Sequence, residues 1–249
     1  MTRYEVIGLA GIPEVRPGDD LSALILGAAA RQGTPMLRGD LLVIGQKIVS
    51  KAEGRLLRLS EITPSQVAQS LAAGLARDPR LVEVILRESR RVVRMDRGIL
   101  VTETHHGWVC ANAGVDQSNV DVDTVALLPE DPDRSARELR EAIRERTGLD
   151  VAVIIADTFG RPWREGLTNV AIGLSGFMPL RSYLGELDSA GRPLQATIIA
   201  LADELAGAAE PVMGKLDRIP VAIIRGLTLA ADDGGSKSLL RDPARDLFR

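Results

Sequence analysis

Hydrophobic and polar positions along this chain follow two periods, one near two residues and one near four. Tyr4 to Ile12, with Val6, Ile7 and Leu9 apolar, predicts a strand entering the loop Gly11-Ile12-Pro13-Glu14. Leu21 to Arg31 is small and aliphatic at helical spacing, and Gly33-Thr34-Pro35 ends it. Asp40 to Val49, rich in Leu, Val and Ile, predicts a strand running into Ser50-Lys51-Ala52-Glu53-Gly54-Arg55. Two short helices are expected: Ser65 to Ala76, entered through Pro64 with Thr63 as cap, and Pro79 to Glu88. Val92 to Met95, Ile99 to Thr104 and Trp108 to Ala111 read as strands, the last two joined by a His105-His106-Gly107 turn.

The second half opens on a helix from Asp131-Pro132 to Arg146, with Leu139, Ala142 and Ile143 on one face and Thr147-Gly148 as its stop. Val151 to Ala156 is an unbroken apolar run, the pattern of a strand buried on both faces, and it delivers Asp157 at its end. Val170 to Leu174 predicts another strand, Leu194 to Ala209 a helix, and Pro220 to Ile224 a final strand. Asp232 to Arg249 reads as a polar, mobile tail. Strands and helices mix without strict alternation, which predicts an α+β fold of mixed α/β sheets with flanking helices.

Composition narrows the function classes. Of 249 residues 45% are hydrophobic and 26% charged, which excludes a disordered chain. Thirty-one basic against 34 acidic residues leave net −3, so no basic field recruits nucleic acid. Aromatics at 3% supply little for a base-stacking platform. The single Cys110 excludes an intramolecular disulfide framework or multi-cysteine zinc site and suits a reducing compartment, the cytoplasm. No export signal and no membrane span are expected, since no apolar run approaches the roughly 20 residues a span needs.

Two loops carry oxygen ligands: Asn112 to Val120, and Asp157-Thr158-Phe159-Gly160-Arg161-Pro162-Trp163-Arg164. Asp116, Asp157 and Thr158 suit a hard divalent cation, and they equally suit plain turn and cap roles. Strand alternation puts Lys47 and Lys51 on one face, able to hold a polyphosphate or simply to solvate an edge strand. Arg161 and Arg164 offer guanidinium forks for phosphate or carboxylate. No Walker motif is present, because Gly214-Lys215 is followed by Leu216, and no glycine-rich dinucleotide fingerprint opens a helix. Adjacent His105 and His106 cannot both ligate one metal from a strand, and Cys110 reads as a small buried side chain.

Taken together, Gly11-Ile12-Pro13-Glu14, Gln46 to Arg55, Asn112 to Asp116 with Ser118-Asn119, Ala156 to Arg164, and Val212-Met213-Gly214-Lys215 resemble the coenzyme F420-0:L-glutamate ligase family in order and over nearly the whole chain. The resemblance implies a family-specific ligase fold in an intertwined homodimer. Residues 1–249 would form one catalytic unit, undivided or of two interleaved subdomains, with no additional C-terminal domain. It further implies an enzyme that joins L-glutamate by a γ-glutamyl link to a deazaflavin phospholactate, using GTP, a divalent cation (Mg²⁺ or Mn²⁺) and K⁺. Position by position, it implies Asp116 and Asp157 as ligands to a first metal, Thr158 to a further one, and Glu210 as another metal contact. Gly11, Ile12, Pro13, Glu14, Gln46, Lys47, Lys51, Asn119, Met213, Gly214 and Lys215 correspond to nucleotide contacts, and Arg161 joins the two aspartates as a catalytic residue. A metal-dependent phosphohydrolase is the alternative, since paired aspartates also support water attack on phosphate. A non-enzymatic nucleotide-binding module is the third reading.

Overall fold

The computed structural model describes residues 3–232 and 234–246. Along the chain come β1 (Glu5–Gly8), α1 (Leu21–Gln32), β2 (Leu41–Gly45), α2 (Gln46–Ala52), β3 (Leu56–Arg58), α3 (Gln66–Leu75) and α4 (Pro79–Arg87). A run of strands follows: β4 (Ser89–Asp96), β5 (Ile99–Thr104), β6 (Val109–Ala111) and β7 (Thr124–Ala126). Then come α5 (Pro132–Thr147), β8 (Ala152–Arg161), β9 (Arg164–Ser175), β10 (Arg181–Ser182), β11 (Ile198–Ile199), α6 (Leu201–Met213) and β12 (Val221–Arg225). This is the mixed α and β architecture the sequence predicts.

The apolar runs become a five-stranded sheet ordered β1-β12-β2-β8-β9, in which only β2 and β8 are parallel. Alternate residues of each strand feed opposite layers. Leu42, Ile44, Val153 and Ile155 meet Ile25 and Ala29 of α1 and Leu139 and Ile143 of α5. Leu41, Val43 and Ile154 meet Ala202, Leu205, Ala206 and Ala209 of α6. A third apolar cluster joins α3 and α4 to Leu100, Val125 and Leu127. Smaller sheets pair β4-β5-β6, β3-β7 and β10-β11.

Several expectations change. The strand foreseen over Asp40 to Val49 stops at Gly45, and Gln46–Ala52 is helical. Gly45-Gln46-Lys47 interrupts the apolar run, and Ile48 and Val49 are buried on the short helix that follows the break. Ser65, not Thr63, caps α3, its side chain accepting from the Ala68 N–H. Pro64 biases Thr63 toward extended backbone, away from the helix. The helix expected from Leu194 begins at Leu201, because β-branched Ile198 and Ile199 pair with Ser182 and Arg181. It then runs past Ala209 and through Pro211 to Gly214. The segment expected as a loop after Ala156 is the outer half of a β8–β9 hairpin. The expected mobile tail is anchored within its described part: the Ser236 N–H and hydroxyl donate to Asp133, and the hydroxyl also reaches the Ile172 carbonyl. Asp233 and residues 247–249 of that tail lie outside the described residues.

Candidate active site

The parallel pair β2 and β8 ends in register, Gly45 opposite Ala156. Outside such carboxyl ends, side chains from neighbouring strands converge. Beyond Gly45 the chain turns into α2 and presents Lys47, while β8 continues into Asp157 and Thr158. Asp116 arrives from the other side, its backbone bridged to Ala126, the last residue of β7.

Lys47 Nζ donates to Asp116 Oδ2 at 2.6 Å, to the Ser118 carbonyl at 2.8 Å and to Ser118 Oγ at 2.6 Å. The Ser118 N–H and hydroxyl both donate to Asp116, at 2.7 and 2.9 Å. Burial raises the Asp116 pKa, but the Lys47 ammonium and the Ser118 donors outweigh it and hold the carboxyl below its usual range. Asp157 goes the other way, pushed up to about 6 by burial and the nearby Asp116 charge, against the Thr158 N–H and the Lys215 and Lys47 ammoniums. Burial, and after it the Asp157 charge, drives the Cys110 thiol up to about 12. Cys110 is therefore a buried, inert side chain rather than a nucleophile.

A second group adjoins the first. Lys215 Nζ donates to Thr158 Oγ1 at 2.5 Å and stands 3.5 Å from Glu210 Oε1. One turn along α2, Lys51 is ion-paired with Glu14, which stands in the exposed loop after β1. The root of that loop is held from α1: Gln32 accepts from the Ala10 N–H at 2.8 Å and donates to the Gly8 carbonyl at 2.9 Å, and Arg31 donates to the Gly11 carbonyl at 3.1 Å. Gln46 is buried and accepts from the Ser50 hydroxyl at 2.8 Å. Lys47 and Lys51 are neighbours on a helix instead of a strand, and each has its own carboxylate partner.

Asp116, Asp157, Thr158, Glu210, Lys47 and Lys215 thus gather at one end of the central strands. Ile12, Pro13 and Gly11 lie in the loop beside Glu14, and Asn119 is exposed with a φ of 55°. Met213 is buried in the apolar layer under α6, and Gly214 ends that helix at a φ of 59°. Arg161 is not brought into the cluster. It lies four residues beyond Asp157, about 13 Å at strand rise, and its guanidinium donates to the Glu165 and Gly166 carbonyls across the hairpin end. His106 likewise has a local role, its Nε2 meeting the Pro129 and Glu130 carbonyls.

Among the described residues no three Asp, Glu, His or Cys side chains gather tightly enough to hold a metal by themselves. Two carboxylates and a hydroxyl do offer an all-oxygen donor set, which suits Mg²⁺ or Mn²⁺ once phosphate oxygens complete the shell. The neighbouring Asp116 and Asp157 charges repel, and a cation between them would relieve that repulsion. The residues fit such an ion.

One participant escaped the sequence reading: Asn169 on β9, which accepts from Thr158 Oγ1 at 2.7 Å and donates to Glu210 Oε2 at 2.8 Å. A two-residue turn at Pro162-Trp163 pairs Arg161 with Arg164 and would set Thr158 opposite Leu167. A register shift between Gly160 and Arg161 puts Asn169 there instead. Only the bulge reveals it.

Over nearly its whole length the chain is similar to known proteins. A sequence profile described as F420-0:gamma-glutamyl ligase matches residues 10–226. The coenzyme F420:L-glutamate ligase of Methanothermobacter thermautotrophicus is 48% identical over 247 residues, 98% of each chain. That of Methanopyrus kandleri is 52% identical over 241 residues, 95% of this chain and 94% of its own. That of Methanocaldococcus jannaschii is 42% identical over 248 residues, 99% and 97% respectively.

Proposed function

The chain belongs to the F420-0:gamma-glutamyl ligase family, and on that premise we propose that it joins L-glutamate to coenzyme F420-0, a deazaflavin phospholactate, through a γ-glutamyl amide bond in coenzyme F420 biosynthesis. GTP is the energy source in this reading, and GDP and phosphate are the products. The observation that carries it is the convergence of Asp116 and Asp157, distant in sequence, between the Lys47 and Lys215 ammoniums.

A carboxylate is a poor electrophile, so amide formation near neutral pH needs activation. The acceptor carboxylate, the deazaflavin's own for the first glutamate and the γ-carboxylate of that glutamate for the γ-glutamyl bond, attacks the γ-phosphorus, GDP departs, and an acyl phosphate results. The glutamate amine attacks the acyl carbon, loses a proton, and phosphate leaves. Asp116 and Asp157, with Thr158 and Glu210 beside them, are the residues that would hold Mg²⁺ or Mn²⁺, which neutralises phosphate oxygens in such transfers. Lys47 and Lys215 add positive charge at the same place. Gly11 to Glu14, Gln46, Lys51, Asn119 and the Met213 to Lys215 turn border the nucleotide. Arg161 or Arg164, at the hairpin tip, binds a glutamate carboxylate. A homodimer belongs to the reading, supported by the exposed apolar side chains of Leu167, Leu184 and Leu187.

The test is an incubation of the purified chain with deazaflavin phospholactate, glutamate, GTP and Mn²⁺, followed by mass spectrometry of the deazaflavin. A product heavier by one or more glutamyl residues, with phosphate released only when every component is present, is expected. Phosphate release from GTP alone, undiminished without the deazaflavin, would show hydrolysis instead and overturn the reading.

A further inference from the structure

Asn169 is 5% exposed, a buried amide inside a cluster of charged and hydroxyl groups. It reaches Glu210 on α6 with one end and Thr158 on β8 with the other. Which end faces which partner follows from donor chemistry. The Glu210 carboxylate offers acceptors, so it takes the Asn169 NH₂ group, and the Asn169 carbonyl is left facing Thr158. A hydroxyl has one proton, and the Asn169 carbonyl claims it. The oxygen of Thr158 is then left with lone pairs alone for whatever approaches from the other side. What approaches here is a cation, the Lys215 ammonium at 2.5 Å.

We infer that Asn169 is a positioning residue of this site: it passes the acceptor character of Glu210 through to Thr158, so that the threonine oxygen is fixed as an acceptor for a cation beside Asp157. Its placement is built into the fold. Thr158 and Asn169 are cross-strand partners, and α6 packs against β9, with Gly207 facing Thr168 Oγ1 and the Asn169 backbone oxygen at ordinary contact distance. Without the amide, the Thr158 hydroxyl would be free to rotate and turn its proton toward the cation side. The inference deepens the ligase reading and rests on it for the identity of the cation that would share Thr158 with Lys215.

The test uses the full chain with Mn²⁺ and inorganic phosphate, whose oxygens complete the ion's shell, with free Mn²⁺ read by electron paramagnetic resonance and folding checked by thermal unfolding. Asn169→Leu is expected to weaken Mn²⁺ binding by about 10-fold, the lower range for losing a partner that orients a ligand. Thr158→Val should weaken it comparably, and adding Asn169→Leu to Thr158→Val should cost less than about 2-fold more, because the effect travels through the threonine oxygen. A merely structural asparagine would cost the same in both backgrounds. Unchanged Mn²⁺ affinity in Asn169→Leu, a full additional loss in the Thr158→Val background, or no Mn²⁺ binding by the unmodified chain each overturns the inference. Should Asn169→Leu fail to fold, Asn169→Ala replaces it in the same cycle, and failure of both assigns Asn169 to packing and overturns it too. The titration contains no nucleotide, deazaflavin or glutamate. Its failure therefore leaves the ligase reading standing, and a chain that shows this Mn²⁺ pattern but ligates no glutamate defeats the ligase reading alone.

Discussion

Replacing Arg225 with leucine is expected to destabilise the fold strongly while leaving the chemistry intact. Asp40 is 1% exposed at the start of β2, and both of its oxygens are engaged by Arg225 at 2.8 Å, with the Leu37 N–H as a third donor at 2.8 Å. The Asp40 hydrogen bonds hold the guanidinium pKa above its ordinary value. Arg225→Leu leaves a buried carboxylate with one backbone donor, and breaking such a pair costs about 3–5 kcal/mol. At about 2–4 °C per kcal/mol for a chain of this size, the thermal midpoint should fall by about 6–20 °C. Asp40→Leu combined with Arg225→Leu removes both charges, strands the Leu37 N–H and releases the carbonyl of exposed Pro35 to water, so it should lie within about 1–2 kcal/mol of the unmodified chain. Urea unfolding with an unchanged slope is the assay. The pair sits at the opposite end of β2 from Gly45, roughly 16 Å from the candidate site at strand rise, so kcat and KM of the folded fraction should stay within about 2-fold. A loss below about 1 kcal/mol for Arg225→Leu, or a double variant as unstable as the single one, would refute the reasoning.

Asp116→Asn and Asp157→Asn should each lower glutamate ligation by at least about 100-fold, no less than the upper range for losing an outer-shell partner, with far-UV circular dichroism unchanged. Glu83 accepts from the Ser65 N–H and from Arg87, which hold its pKa down at about 2. A depressed carboxyl stabilises the fold above its unfolded value of 4.5 and loses that contribution as pH falls toward about 2. Glu83→Gln, discounted for the half-exposed Arg87, should therefore cost about 1–2 kcal/mol at pH 7 and almost nothing near pH 2, as read by urea unfolding at both. Gly173→Ala puts a Cβ 2.4 Å from the Pro132 carbonyl at the start of α5, and a loss of about 3 kcal/mol or more is expected in the same assay. Native Cys110, its thiol at about 12 and buried, should resist iodoacetamide at pH 8 until the protein is unfolded, as mass spectrometry of alkylated protein would show.

Short-range signals located most of the elements. Asp131-Pro132 and Gly148 bracket α5 because a cap and a left-handed stop act within one turn of the residues that specify them. The aliphatic run before Asp157 became the buried part of β8 for the same local reason. The residue types at the site were also legible, since carboxylates, hydroxyls and ammoniums in loops after apolar runs limit the chemistry to oxygen ligation and phosphate charge.

Other features depended on contacts that no local window contains. Gln46 to Ala52 is helical because Ile48 and Val49 find an apolar wall there, and that wall is assembled from distant strands. The meeting of Lys47 with Asp116, of Lys215 with Thr158, and the choice of Asn169 as the partner of Thr158 follow from strand order and from one bulge near Gly160. Periodicity and capping are set by neighbours within a few residues, whereas register and convergence are set by how whole elements pack. The sequence by itself therefore determined which chemistry was on offer, and tertiary packing decided which groups deliver it together.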